Sequence, residues 1–357
     1  MIKKECFTAE WIEQVSSELH YNDKNLIEKV IRALSLLEML VKAGCPLVFK
    51  GGTALMLILG KFAHRLSIDI DLICPPGTNI EDYLKSFADF GFINLELVER
   101  KQRDDADIPK SHSKFFYQIA YRNDTDAQSY ILLDVLYEDI HYFRTQQIAI
   151  NCPFIRLEGK PLMVTVPSAE DILGDKLTAF APNTTGIPYY RNGRSCSMEI
   201  AKQLYDVGRL FENVSDLQIT KEAFRKIAVV ELSYRSFGTD IGQVFNDIRQ
   251  TALCISTRGK AGEGDFDLIQ DGIIRVKSFM YKQRYLIDHA IIDAARAAYL
   301  ATLIEKGINE IESYSNNPAD IKDMVIRPSL PNKLNKLRSN LPEAYYYWAK
   351  TSELLEA

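Results

Sequence analysis

The sequence predicts an α+β protein, with a mixed β-sheet in its first half and helices throughout its second. Three observations carry this expectation. Short β-branched and aromatic runs, IDIDLI (68–73), KFFYQIAY (114–121) and YILLDVL (130–136), crowd residues 46–166, where alternation of apolar and polar residues marks half-buried strands. From Ser168 onward the apolar residues recur instead at three- and four-residue spacing, the period of amphipathic helices. The chain has 357 residues, beyond the roughly 250–300 that one core usually holds, so two domains are expected, 1–167 and 168–357.

In chain order, residues 9–44 read as two helices, the second with Leu26, Val30, Leu34, Leu37 and Val41 on one face, a core-packing stripe. Residues 45–50 form a short strand, Gly51 and Gly52 a tight turn and 53–60 the next helix. Strands follow at 68–73, 114–121 and 130–136, within a region that alternates strands and helices to residue 166. Beyond it, helices are expected at 168–181, 197–212, 219–236, 240–255, 284–306 and 342–356. A loop rich in Gly, Pro, Asn and hydroxyl residues spans 182–200, a turn-rich stretch spans 256–267, and Pro318, Pro328 and Pro331 punctuate the tail. Tyr345, Tyr346, Tyr347 and Trp348 read as the docking face of the last helix.

The chemistry concentrates in FKGGTALMLILGKFAHRLSIDIDLIC (49–74). Residues i and i+2 of a strand share a face, so Asp69 and Asp71 project together. Like charges at that spacing call for a cation, and Mg²⁺ takes one or two carboxylates, keeps several waters and completes its shell with substrate phosphate. A solvated acidic strand face is the alternative for an isolated pair. Upstream, a strand, the Gly51–Gly52 turn and a helix N-terminus offer backbone N–H groups to a triphosphate, with the Thr53 hydroxyl as a further donor; an ordinary tight turn has the same pattern. Asp134 lies in an otherwise apolar run, where a carboxylate must be paired, protonated or metal-bound. Asp69, Asp71 and Asp134 together suit a two-ion site for in-line phosphoryl displacement.

KGGTAL (50–55), R-x-S-x-D-x-D at Arg65, Ser67, Asp69 and Asp71, and D-x-L-x-x-K-L at Asp171, Leu173, Lys176 and Leu177 occur in order. The set resembles the AbiEii / MenT-type nucleotidyltransferases of the polymerase-β-like superfamily, over residues 45–212. The resemblance implies a polymerase-β-like nucleotidyltransferase domain and Mg²⁺-dependent transfer of a nucleotide from an NTP. It also implies tRNA as an acceptor, and the toxin half of a type IV toxin–antitoxin pair with a cognate antitoxin as partner. Carried over residue by residue, it implies Gly51, Gly52 and Thr53 at the triphosphate, Asp69 and Asp71 at Mg²⁺, and Lys176 in a phosphate or catalytic role, while Arg65 and Ser67 match the family's R-x-S and serve either the nucleotide or the positioning of the Asp-x-Asp strand. The family's next element, R-D-x-x-D, stands here as Lys202-Gln203-Leu204-Tyr205-Asp206; Asp206 matches its second aspartate and Gln203 replaces the first. The helical half is then expected to complete the site. The resemblance also favours a functional TTGIPY loop, in which Tyr189, Tyr190, Arg191 and Arg194 suit a nucleobase and its phosphates.

Composition sets bounds. A net charge of −5 does not advertise nucleic-acid binding, which needs clustered Lys and Arg. RNA would need a local patch: Lys176, Arg191, Arg194 and Lys202, or more distantly Lys333, Lys336 and Arg338. Six scattered cysteines without C-x-x-C spacing read as reduced thiols. The five histidines show no ligand spacing, and His64 is the one beside the motifs. No leader or apolar run of about 18 residues is present, so a cytoplasmic protein is expected, without a membrane partner. Two other readings stay open: transfer to a small molecule, and a nucleotide- or protein-binding module without catalysis, which Gln203 makes worth testing.

Overall fold

The computed structural model describes residues 1–98, 110–122, 127–214, 216–234 and 240–357. The chain forms two compact units, Met1–Ser168 with Ser278–Arg284, and Ala169–Lys277 with Tyr285–Ala357.

The first unit opens with helices α1 (Ala9–Glu18) and α2 (Lys24–Lys42). Each starts where a side chain accepts an otherwise orphaned backbone N–H: Thr8 from Trp11 and Asp23 from Leu26. Leu26, Val30, Leu34 and Leu37 of the expected stripe are buried. Burial goes further around α2 than a stripe, because Arg32 is enclosed too, pairing with Glu28 at 3.4 Å and lying 4.9 Å from the centre of the Tyr117 ring.

After α2 come β1 (Val48–Lys50), α3 (Gly51–Leu59), β2 (Ile70–Cys74), β3 (Asn94–Val98), β4 (Lys110–Gln118) and β5 (Gln128–Tyr137). They build a five-stranded sheet in the order β1-β2-β5-β4-β3. The β2–β5 pair is parallel and the others antiparallel, so the sheet is mixed as expected. Ile131, Leu133 and Val135 of β5, Phe115 and Tyr117 of β4, and Ile70 and Leu72 of β2 are buried on one face. The other face carries the polar members of each alternation. A two-stranded antiparallel ribbon, β6 (Thr145–Ala149) and β7 (Met163–Pro167), completes the sequence order.

Several boundaries differ from the sequence expectation. Helix α3 starts at Gly51, so both glycines lie in its first turn rather than in a separate turn ahead of it. Strand β4 starts at Lys110, where the polar Lys-Ser-His-Ser stretch is held by pairing with β5 despite its weak strand propensity. Strand β2 starts at Ile70, which leaves Asp69 just ahead of it.

The second unit holds α4 (Ala169–Ala179), the short strands β8 (Tyr190–Arg191) and β9 (Arg194–Ser195), and helices α5 (Ser197–Phe211), α6 (Leu217–Ser233), α7 (Ile241–Ser256), α8 (Phe266–Val276), α9 (Ile287–Lys306), α10 (Leu337–Asn340) and α11 (Pro342–Glu356). Helix α8 was not expected; Asp265, read as part of the turn-rich stretch, caps it by accepting from Leu268 N–H. Positions 235–236 of the helix expected at 219–236 lie outside the described residues. Glycine allows close helix approach: a Cβ on Gly174 of α4 would meet the Phe224 backbone nitrogen of α6 at 2.7 Å. Tyr345, Tyr346, Tyr347 and Trp348 are all buried, as expected of a docking face. The segment Ser278–Arg284 belongs to the first unit, where Leu66 donates to the Phe279 carbonyl at 2.8 Å and Tyr281 to the His64 carbonyl at 3.0 Å.

Candidate active site

The motif residues of the first unit meet on the polar face of its sheet. Register sets Lys50 opposite Asp71, Asp71 beside Asp134, and Asp134 opposite His112. In-register neighbours project to the same side, so Lys50, Asp71, Asp134 and His112 form one row across four strands. His112 Nδ1 lies 2.5 Å from Asp134 Oδ1, and the imidazole is buried while the carboxylate is about one-third exposed (8% and 35%).

The glycines bring the turn against this row. Gly51 has φ +78°, and a Cβ there would stand 2.1 Å from Asp71 Oδ2. A Cβ on Gly52 would meet Ser67 Oγ at 2.6 Å and Arg65 Nη2 at 3.0 Å. Residues 51, 52, 65, 67 and 71 therefore pack together, and Arg65 is buried among them, donating to the Leu66 carbonyl at 3.0 Å. Thr53 is fully buried, and its hydroxyl donates to the Asp69 carbonyl at 2.7 Å. The hydroxyl thus ties the first turn of α3 to the backbone of the Asp-x-Asp segment. Lys50, the residue capping α3, supplies no side-chain hydrogen bond to the helix N-terminus.

A further cation lies nearby. Burial pulls the Lys29 ammonium of α2 below its ordinary pKa, and the negative charge of Asp69 opposes that shift.

Among the described residues, no group of three or more His, Cys, Asp or Glu side chains is arranged to hold a metal by itself. The donor set is nonetheless of the hard-oxygen type: two carboxylates in register on parallel strands, with a third two residues before one of them. Mg²⁺ sites of this class use one or two carboxylates and leave the remaining positions to water and substrate phosphate, which fits these residues.

In the second unit, Lys176 of α4 and Asp206 of α5 form a buried ion pair at 3.1 Å. Lys176 Nζ also donates to Gln203 Oε1 at 2.9 Å. Gln203, which departs from the family pattern, keeps an acceptor for the lysine while removing one negative charge. The loop before α5 is tied down at its base. Asp247 accepts from the Asn183 backbone at 2.8 Å, from its side chain at 2.7 Å and from the Thr184 hydroxyl at 2.9 Å. At its tip β8 and β9 pair, and Asn192 and Gly193 adopt φ +52° and +74°, the two-residue turn that fits strand twist. Tyr190, Arg191 and Arg194 are exposed there. Of the distal basic group, Lys333 and Arg338 donate to backbone carbonyls of Lys260 and Ile321 within the same unit.

Two residues of this face, His112 and Lys29, have no motif in the sequence. His112 became visible only through the β4–β5 register; extending the strand four residues upstream would have put it on the face of Lys114 and Phe116. Lys29 carries no local signal, since a lysine on an amphipathic helix reads as solvated.

The family model described as nucleotidyl transferase AbiEii toxin, type IV TA system, matches residues 34–319. No match was found among curated proteins. Solved structures similar to this chain include the MenT4 nucleotidyltransferase toxin of Mycobacterium tuberculosis, at 11% identity and TM-score 0.43, covering 95% of this chain and 98% of that one. JHP933 of Helicobacter pylori is similar at 17% identity and TM-score 0.42, covering 79% and 94%. A putative nucleotidyltransferase of the same organism matches at 17% identity and TM-score 0.40, with the same coverage. The family model spans most of the chain, and the protein belongs to the AbiEii family of nucleotidyltransferase toxins of type IV toxin–antitoxin systems.

Proposed function

We propose that this nucleotidyltransferase moves a nucleoside monophosphate from an NTP to the hydroxyl end of an RNA of tRNA class, with Mg²⁺, as the cytoplasmic toxin countered by its antitoxin. The observation that carries the reading is the row of Asp71 and Asp134 in register on parallel strands, with Gly51 packed against the Asp71 carboxylate. Asp69, Asp71 and Asp134 would hold the metal, which when bound neutralises phosphate charge and lowers the barrier to displacement.

The chain's own groups do the rest. Backbone N–H groups in the first turn of α3, beside the side-chain-free Gly51 and Gly52, receive the triphosphate. Arg65 and Ser67 shape that turn, and Thr53 locks it to Asp69. Asp134, oriented by His112, aligns the acceptor hydroxyl and takes its proton. The acceptor oxygen then bonds to the α-phosphorus, the bond to the bridging oxygen breaks, and pyrophosphate leaves. Lys176 is assigned a phosphate-binding role on the chemistry of its ammonium, a compact charge suited to phosphate oxygens. No helix among the described residues is long and apolar enough to cross a membrane.

The test is pyrophosphate release from each NTP, with and without total bacterial RNA, in Mg²⁺ and in chelator. RNA-stimulated release that chelator abolishes supports the reading. Release stimulated by small hydroxylated compounds and not by RNA would transfer it to a small-molecule acceptor.

A further inference from the structure

The polar face of the sheet that carries Asp134 continues along β5 to Leu132 and Tyr130. Tyr130 is 39% exposed. Its register partner Phe116 lies against it, with ring centres 5.7 Å apart and planes tilted by 55°. Two lysines from different elements converge on the same ring: Lys29 Nζ of α2 and Lys114 Nζ of β4 are each 5.4 Å from its centre. Lys114 pairs with Glu96 at 3.4 Å. Lys29 is half-buried, and the negative charges of Asp69 and Asp23 both favour its charged form.

Bringing two ammonium groups to one exposed ring costs electrostatic repulsion and the rotamer freedom of two long side chains. Each contact is near the 6 Å limit of an effective cation–π geometry, so the ring alone offsets little of that cost. A polyanion with stackable bases answers both features: a base stacks on the ring, and the flanking phosphates take up the ammonium charges. The chain carries a net charge of −5, which makes two lysines beside an open aromatic face a local exception of the kind RNA binding requires. Distance also fits. Tyr130 and Asp134 are four residues apart on one strand, about 13 Å at roughly 3.3 Å per residue, a span covered by a few nucleotides at about 3.4 Å per stacked step.

We propose that Tyr130, backed by Phe116 and flanked by Lys29 and Lys114, is a stacking platform for a base of the single-stranded end of the acceptor RNA, a few nucleotides from the reacting hydroxyl. This inference rests on the RNA-acceptor reading given above, and it selects single-stranded over duplex ends, because a paired and stacked base cannot lie on the ring.

The experiment is fluorescence anisotropy with a short labelled single-stranded RNA, without NTP, on the wild type, Tyr130→Ala, Tyr130→Trp and Lys114→Ala. The expected result is a Kd at least about tenfold weaker for Tyr130→Ala, near wild-type affinity for Tyr130→Trp, and a shallower salt dependence for Lys114→Ala. The exposed position of Tyr130 leaves the fold of its alanine variant intact, checked by its melting curve. Equal RNA binding by wild type and Tyr130→Ala overturns the inference, as does wild-type preference for duplex RNA. An equal loss of NTP affinity in Tyr130→Ala also overturns it, by assigning the ring to the incoming nucleotide. Label transfer from NTP by the wild type is scored separately, so failure of the transferase reading is distinguishable from failure of the platform.

Discussion

His112 on β4 and Asp134 on β5 stand directly opposite one another, their Nδ1 and Oδ1 atoms 2.5 Å apart. The ring engages one carboxylate oxygen, and the Asp134 side chain stays about one-third exposed. Removing an outer partner of a ligating carboxylate typically costs ten- to a hundredfold in metal affinity or activity. His112→Ala is therefore expected to lower transfer by about that factor and to raise the Mg²⁺ concentration needed for half-maximal rate, with His112→Gln intermediate. Titrating rate against Mg²⁺ checks this; an unchanged half-maximal concentration would reduce His112 to a packing residue.

Gly51 is required twice over, by φ +78° and by the Asp71 carboxylate where a side chain would go. A left-handed conformation costs a non-glycine residue about 1–2 kcal/mol, and Asp71 must also move. Gly51→Ala is expected to lower the unfolding midpoint by several degrees and to abolish transfer. A variant with normal activity would show that Asp71 need not occupy its observed place.

Lys176 and Asp206 make a buried pair, where removing one partner costs about 3–5 kcal/mol and replacing both by apolar residues is often near neutral. Lys176→Met is expected to unfold at clearly lower denaturant than the wild type, and Lys176→Met with Asp206→Leu to recover most of that loss. If Lys176 also binds phosphate, the double variant folds and stays inactive. A double variant with full transfer would leave the pair a purely structural role.

Asp293 of α9 is enclosed, accepting from the Tyr285 hydroxyl at 3.0 Å and Arg296 Nη1 at 3.3 Å. Burial raises its carboxyl from an ordinary 3.8 to about 6, with Arg296 opposing. The folded chain thus holds this proton more tightly than the unfolded chain. Its contribution to stability is fully present below about pH 3.8 and is lost as pH rises through about 6, on the order of 3 kcal/mol. Asp293→Asn mimics the protonated form, so the stability difference between variant and wild type should shift in the variant's favour between pH 4 and 7. A difference that stays constant over that interval contradicts the assignment.

Periodicity revealed most of the helices and the sheet-bearing half because both signals are local. Leu26, Val30, Leu34 and Leu37 face inward as their spacing required, and the Asp134 strand lies where its apolar run put it. What escaped was nonlocal. No local pattern pairs His112 with Asp134, aligns Asp71 beside Asp134, or returns Ser278–Arg284 to the first unit; those follow from register and chain path. Thr53 illustrates the same limit: its hydroxyl, read as a donor to triphosphate, is engaged by the Asp69 carbonyl. Helix α8 was masked by the glycine-rich residues before it, whose last member before the helix, Asp265, turned out to be its cap.

In the proposed reaction Asp71 and Asp134 act together in metal-assisted transfer to RNA. Incubation with Mg²⁺, each α-labelled NTP and total bacterial RNA, comparing wild type with Asp71→Asn and Asp134→Asn of confirmed fold by gel, tests this joint role. Label on tRNA-sized RNA from one NTP, absent in both variants, is the expected result. Label that persists in either variant, or wild-type protein that labels no RNA while remaining folded and able to bind NTP, would contradict it.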